Sequence, residues 1–269
     1  MDGRRIRIKR LFGRGRAVII AIDHGMFDGP LPGMEDLPET VSRINPLVDG
    51  VLLAPGMLRR CGEFFAHTDR PAAVVRLNWN TVYRSSGPCL SVSRRCLGVE
   101  DALREGMDIP LVSLTLNTGS EEQDAANAGI FSEMAADAHR LGLPVIGEYF
   151  PTGHGTMEPE ELHEDVREGC RIIAELGADA VKTFYTCHFE EVTGSCPVPI
   201  LGLGAEKLPT QAEALDLAAA EVRHGAGGVV FGRNAIQQEN PAAFQAALCE
   251  VVREEADVRS VVDKYELHD

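Results

Sequence analysis

At 269 residues, 44% of them apolar, the chain suits one barrel-sized domain better than two small ones, since eight strand-helix units need about 250 residues. The formal charge of −15 argues against nucleic acid or an anionic membrane as a general partner, because both reward basic surfaces. No apolar run is long enough to span a bilayer, the first residues are too basic and broken for a signal peptide, and the seven scattered cysteines lack a CxxC pair. Free thiols and a cytoplasmic location are therefore expected, not a disulfide framework or a closed zinc site.

The chain opens on a basic arm, about 1–16, that carries Arg4, Arg5, Arg7, Lys9, Arg10, Arg14 and Arg16. Such a short arm is expected to close the bottom of a barrel or to pair with acidic surface on a neighbouring subunit, in preference to gripping nucleic acid. Eight β-branched runs follow: AVIIAID (17–23), GVLLA (50–54), AAVVRLN (72–78), PLVSLTLN (110–117), PVIGEYF (144–150), DAVKTFY (179–185), VPILGLG (198–204) and GGVVFG (227–232). The stretches between them read as helices over 36–47, 57–66, 99–106, 121–141, 159–176, 188–193, 210–224 and 241–256, with Ser120, Pro159 and Pro241 as start signals. This alternation predicts an α/β fold, a (β/α)8 TIM barrel over 1–269 with no internal domain boundary. An open doubly wound sheet is disfavoured, because no GxGxxG follows the first run and eight regular units close naturally. Residues 79–98 break the rhythm with glycine, proline, serine and arginine, and predict a lid over the catalytic face or an oligomer contact.

In a barrel the candidates for chemistry are polar residues at the C-terminal ends of strands, because strand interiors fill the core. These are Asp23 and His24 after the first strand, Asn78, Asn117, Glu148, Tyr149, Lys182 and Tyr185, then Gly232, Arg233 and Asn234 after the eighth. Lys182 is the most informative, as the one lysine within the eight runs. An apolar setting favours the neutral amine, which attacks a ketone; the structural alternative is an inward lysine paired with a carboxylate. Asp23 is read as a group that moves a proton or orients a substrate hydroxyl, against an Asx-type turn cap. A metal site from Asp23 and His24 lacks the spacing of a known ligand set. Gly204 and Gly232, with Arg233, end the last two strands where many barrels bind phosphate.

These residues resemble the archaeal-type class I fructose-bisphosphate aldolases, a barrel family whose relatives include an aminodideoxyheptulosonate synthase and a thiolase of phosphorylated autoinducer-2 breakdown. The resemblance covers nearly the whole chain, through AIDHGMFDGP, LTLNTGSEE, ADAVKTFYT and GGVVFGRNAIQQENP. It implies Lys182 as the Schiff-base lysine, Asp23 as the catalytic aspartate, and phosphate binding by Gly204, Ala205, Gly232 and Arg233. Lys207 falls at the lysine of the family's GGxK stretch, where Ala205 replaces the second glycine. Where the family's aldolases read YPRG, with the tyrosine as general acid and base, this chain reads EYFPTG: Phe150 stands at the tyrosine and Thr152 at the arginine. Phenylalanine exchanges no proton, and loss of a general acid or base costs about 10²–10⁴ in rate. Tyr149 or Glu148 is therefore expected to substitute, with His154 and His163 as further candidates, unless the reaction is not ordinary fructose-bisphosphate cleavage.

The expected function is that of a class I aldolase acting next to a dihydroxyacetone-phosphate-like unit of a phosphorylated ketose. No metal or other cofactor should be required. The alternatives are an aldol synthase using another acceptor such as an amino-acid semialdehyde, and a thiolase of a phosphorylated pentanedione, which ranks below aldol chemistry. A barrel that binds sugar phosphates without turning them over is the reading from another class. The resemblance also implies a homo-oligomer, commonly a decamer.

Overall fold

The computed structural model describes residues 3–85 and 87–267. Eight parallel strands close into a barrel: β1 Ala17–Ala21, β2 Gly50–Leu53, β3 Ala72–Arg76, β4 Ile109–Leu114, β5 Ile146–Tyr149, β6 Ala180–Thr183, β7 Ile200–Leu203 and β8 Gly228–Phe231. Each strand lies within or beside one of the eight apolar runs. Nearly every strand residue is buried, because the barrel interior covers one face and helices cover the other.

Alternation along the strands sorts the core into two shells. Ile19, Leu52, Val74, Leu111, Ile146, Ala180, Leu201 and Val230 point inward and pack together. Their neighbours Val18, Val51, Val75, Val112, Val181 and Val229 face the helices, in the larger cluster. The inner stack is plugged from below by the arm: Gly3–Leu11 is helical, Leu11 joins the inner cluster, and Ile8 and Phe12 pack against it. Basic residues of the arm are held at the barrel's base, with Arg7 donating to the Gly142 carbonyl at 3.0 Å, Arg14 to that of Leu47 at 2.7 Å, and Arg16 paired with Glu255 at 2.9 Å.

The longest helices, Glu121–Arg140, Pro159–Glu175, Gln211–Arg223 and Pro241–Glu254, follow β4, β5, β7 and β8. Ser120 caps the first of them, accepting from Gln123 N–H, and Pro159 and Pro241 open two others. The helix expected over 57–66 is instead two short ones, Pro55–Leu58 and Gly62–Phe65, separated by Cys61 in a turn conformation. Within the 79–98 segment, Asn78–Asn80 and Ser93–Arg95 form an antiparallel ribbon, with a 3-10 turn at Thr81–Arg84. The seven cysteines are free thiols, and among the described residues no helix is long and apolar enough to cross a membrane.

Candidate active site

The alternation that fills the barrel also builds the site. Asp23, Arg76, Glu148 and Lys182 each stand two residues beyond an inward core residue, namely Ala21, Val74, Ile146 and Ala180. They are therefore the next inward side chains, at the C-terminal rim. β5 and β6 pair in a register that sets Glu148 beside Lys182. The Lys182 ammonium donates to Glu148 Oε1 at 2.5 Å, and the Arg76 guanidinium spans both carboxylates, reaching Glu148 Oε2 at 2.5 Å and Asp23 Oδ2 at 2.6 Å. All four side chains are buried.

Two cations and two anions thus neutralise one another out of water, which is what makes their burial tolerable. Burial alone would raise the Glu148 carboxyl, but Arg76 and Lys182 outweigh it and hold the group well below the usual carboxylate range. Burial likewise works against the charge on Arg76, and Glu148, Tyr83 and Asp23 overcome it. His24 follows Asp23 with its Nδ1 3.9 Å from Oδ1, and burial lowers its pKa, so the ring is neutral at pH 7. Its ring occupies the space a side chain at Gly232 would need: a Cβ there would lie 2.2 Å from His24 Cε1.

The four inward groups form the floor of a pocket of about 730 Å³. One wall is the phosphate segment expected from the sequence, with Gly204, Ala205, Gly232 and Arg233 all lining it. Arg233 donates to the Ala205 carbonyl at 2.9 Å, tying the loops after β7 and β8, while its buried Nε has no partner among the described residues. Asn234 pins the same loop by donating to the carbonyls of Gly204 and Glu206 and accepting from Leu208 N–H. Ala205 is in the left-handed region at φ 48°, a conformation easiest for glycine. Lys207 lies exposed outside the pocket, donating to Gln238 at 2.9 Å.

The opposite wall is aromatic. Phe27 stacks on Tyr83 with ring centroids 4.0 Å apart, and Phe150 packs edge-on against Tyr83 at 4.8 Å, His154 at 4.8 Å and Phe184 at 4.9 Å. Tyr83 comes from the 79–98 segment, which the structure folds across the catalytic face. Trp79 Nε1 donates to the Met26 carbonyl at 3.0 Å and Arg84 to that of Phe27 at 2.6 Å. Thr152 is buried and spent on this segment, accepting from Cys89 N–H at 2.9 Å and donating to the Cys89 carbonyl at 3.0 Å.

Several of the candidate residues stand outside the pocket. Tyr149 does not enter the pocket: strand alternation turns it away from the barrel axis when Glu148 turns inward. Its ring lies over Gly169 of the Pro159–Glu175 helix, and its hydroxyl donates to Asp165 at 2.9 Å. His163 lies outside as well, buried against Thr186. Asn78, Asn117 and Tyr185 have other roles: Asn78 joins the ribbon to β4, Asn117 donates to Asp165, and the Tyr185 hydroxyl meets His224. Among the pocket residues that went unread in the sequence are Arg76 and Tyr83. A charged residue inside the apolar run AAVVRLN was the available signal for the first; nothing periodic marked the second.

An inward lysine on the sixth strand, carboxylates around it and a glycine- and arginine-lined segment on the last two strands define the class I, Schiff-base aldolase type of barrel. The DeoC/LacD family aldolase profile matches residues 17–238, and the chain belongs to that family. It is 33% identical over 264 residues to the 3-hydroxy-5-phosphonooxypentane-2,4-dione thiolase of Klebsiella pneumoniae, covering 96% of this chain and 83% of the relative. It is 32% identical over 262 residues to the 2-amino-3,7-dideoxy-D-threo-hept-6-ulosonate synthase of Halobacterium salinarum, covering 95% of this chain and 93% of the relative. A solved Schiff-base-forming fructose-1,6-bisphosphate aldolase superposes with a TM-score of 0.78 at 27% identity, covering 92% of this chain and 98% of that one.

Proposed function

We propose that the protein cleaves or forms a carbon–carbon bond next to a dihydroxyacetone-phosphate-like unit, through a Schiff base on Lys182. The observation that carries this reading is the pairing of Lys182 Nζ with Glu148 at 2.5 Å on the floor of a pocket whose wall is the Gly204–Ala205 and Gly232–Arg233 segment. Lys182 passes its ammonium proton to Glu148 and attacks the ketone carbon; Glu148 returns the proton to the departing oxygen, water leaves, and the resulting iminium draws electrons from the adjacent bond. The phosphate is held by the backbone of Gly204, Ala205 and Gly232 and by Arg233, whose buried Nε, without a partner among the described residues, needs an acceptor. Asp23 orients a substrate hydroxyl, and Glu148 takes and returns protons beside the amine. Aldol cleavage of a fructose-bisphosphate-like ketose is the leading reaction; synthesis with another aldehyde and thiolysis of a phosphorylated dione use the same electron sink. The reading also makes the enzyme cytoplasmic and homo-oligomeric, a ring of ten by resemblance, which light scattering on the purified protein tests.

The chemical test is borohydride trapping with dihydroxyacetone phosphate, fructose 1,6-bisphosphate and unphosphorylated dihydroxyacetone, read by peptide mass spectrometry. The expected result is an adduct on Lys182 with the phosphorylated ketones and far less with dihydroxyacetone. Lys182→Met should fold, form no adduct and lose turnover. An active K182M variant, or no adduct with any ketone, refutes the covalent mechanism.

A further inference from the structure

Phe150 cannot exchange a proton, yet the chemistry proposed above needs one delivered to the enamine after cleavage, or removed from the carbon next to the iminium before synthesis. Three neutral groups in the pocket could exchange it, namely His24, His154 and Tyr83. His154 meets Phe150 edge-on and lies tilted against Phe184, and its buried Nδ1 has no hydrogen-bond partner among the described residues. His24 stands over Gly232 at the phosphate end, and its Nδ1 lacks such a partner too. Tyr83 differs in being wired to the amine. Its hydroxyl donates to Glu148 Oε2 and accepts from Arg76 Nη1 at 2.6 Å, while Glu148 Oε1 accepts from Lys182 at 2.5 Å. Phenol and amine therefore sit on the two oxygens of one carboxylate, and the phenol lines the pocket.

We propose that Tyr83 is the catalytic residue that exchanges the α-proton of the Lys182 iminium, in relay with Glu148. The phenol oxygen takes the proton from the α-carbon as its own proton passes to Glu148 Oε2. The C–H electron pair becomes the C=C bond of an enamine, and the C=N π pair moves onto nitrogen. Charge balances within the site: a cationic iminium and an anionic carboxylate become a neutral enamine and a neutral carboxylic acid. Such a collapse of an ion pair is favoured where water is excluded. Arg76, hydrogen-bonded to both the phenol and the carboxylate, holds the two in line throughout. The reverse transfer protonates the enamine after an aldehyde has left. Burial and Glu148 keep the phenol protonated at rest, which suits a relay that must hold a proton to pass on.

This inference rests on Lys182 as the Schiff-base lysine, and the experiment separates the two. Wild type and Tyr83→Phe are incubated with dihydroxyacetone phosphate alone, so no acceptor need be known. One aliquot is trapped with borohydride, and another is followed by NMR in D2O for loss of the α-proton. The expected result is a Lys182 adduct in both proteins, with α-exchange in the variant slower by about 10² to 10⁴. Exchange within a few-fold of wild type in a variant that still forms the adduct overturns the role of Tyr83. Loss of the adduct in the variant overturns it too, since the hydroxyl would then act before the iminium exists. An absent wild-type adduct removes the covalent reading itself, and the relay with it.

Discussion

Replacing Arg76 with methionine tests whether the site is held by charge balance. The variant keeps much of the side-chain length but leaves Asp23 and Glu148 facing one cation, Lys182, instead of two. A buried surplus negative charge is relieved most cheaply by a proton. Binding one at pH 7 to a carboxyl whose ordinary pKa is about 4.3 costs about 3.7 kcal/mol, within the roughly 3–5 kcal/mol lost when one partner of a buried pair is removed. With an unfolding entropy of about 2.1 cal/mol/K per residue over 269 residues, each kcal/mol shifts the midpoint by about 1.8 °C, so R76M should melt about 6–7 °C below wild type at pH 7.

The penalty must also depend on pH, with a definite sign. In the wild type the depressed Glu148 pKa contributes stability that is present above the ordinary carboxylate pKa and is lost as pH falls through the folded value. In the variant the surplus carboxyl is instead raised, so its cost grows with pH above about 4.3. The gap should shrink to about 1 kcal/mol, or about 2 °C, at pH 5. Thermal melts of both proteins by circular dichroism from pH 5 to 8 are sufficient. A gap below about 2 °C at pH 7, or one that does not change with pH, would mean that Arg76 contributes packing alone.

Two further outcomes follow from the same structure. Tyr149→Phe removes a hydroxyl that donates to Asp165 behind the barrel wall, so it should cost about 1 kcal/mol in a denaturant melt while turnover stays within about three-fold of wild type; a drop of about 10² in turnover would return Tyr149 to the chemistry. Glu221 is fully buried under Gly202, neither carboxyl oxygen has a hydrogen-bond partner among the described residues, and burial holds its pKa well above the ordinary value. Because a raised carboxyl pKa makes stability fall as pH rises, the melting temperature of Glu221→Gln minus that of wild type should grow between pH 5 and 7, by up to about 2.5 °C per pH unit, the equivalent of about 1.4 kcal/mol; a flat difference would refute a protonated Glu221.

The barrel was legible because both faces of each strand are covered, so every strand wrote itself as a short apolar run bounded by polar residues. Asp23 was legible because it ends such a run, and Glu148 and Lys182 because each is a charged residue inside one. Period two at the rim decides between neighbours: Glu148 and Tyr149 are adjacent, so only one can face the axis, and an inward Glu148 excludes Tyr149. The same rule identifies Arg76, which stands two residues beyond the inward Val74. Tyr83 had no comparable signature. It is delivered by an aperiodic segment whose path depends on long-range bonds, Trp79 to Met26 and Cys89 to Thr152, that no local pattern encodes.

The pairing of one arginine and one lysine with two carboxylates also explains why the cations differ. A guanidinium stays charged at any working pH, whereas an amine can surrender its proton, so only Lys182 can change state while Arg76 remains a fixed countercharge. In the Schiff-base mechanism proposed for Lys182, the ammonium becomes an iminium, so positive charge stays near the same carboxylate and the surrounding dipoles need not reorganise. Charge disappears from that position only when the enamine forms, and a carboxylate already hydrogen-bonded to the amine can accept the matching proton. A lysine at position 76 would offer a second ionisable amine and lose the fork that reaches Asp23, Glu148 and Tyr83 together. Arg76 thus does for the electrostatics what the strand register does for the geometry, a fixed charge around which the Lys182 nitrogen and the proposed Tyr83–Glu148 relay can change state.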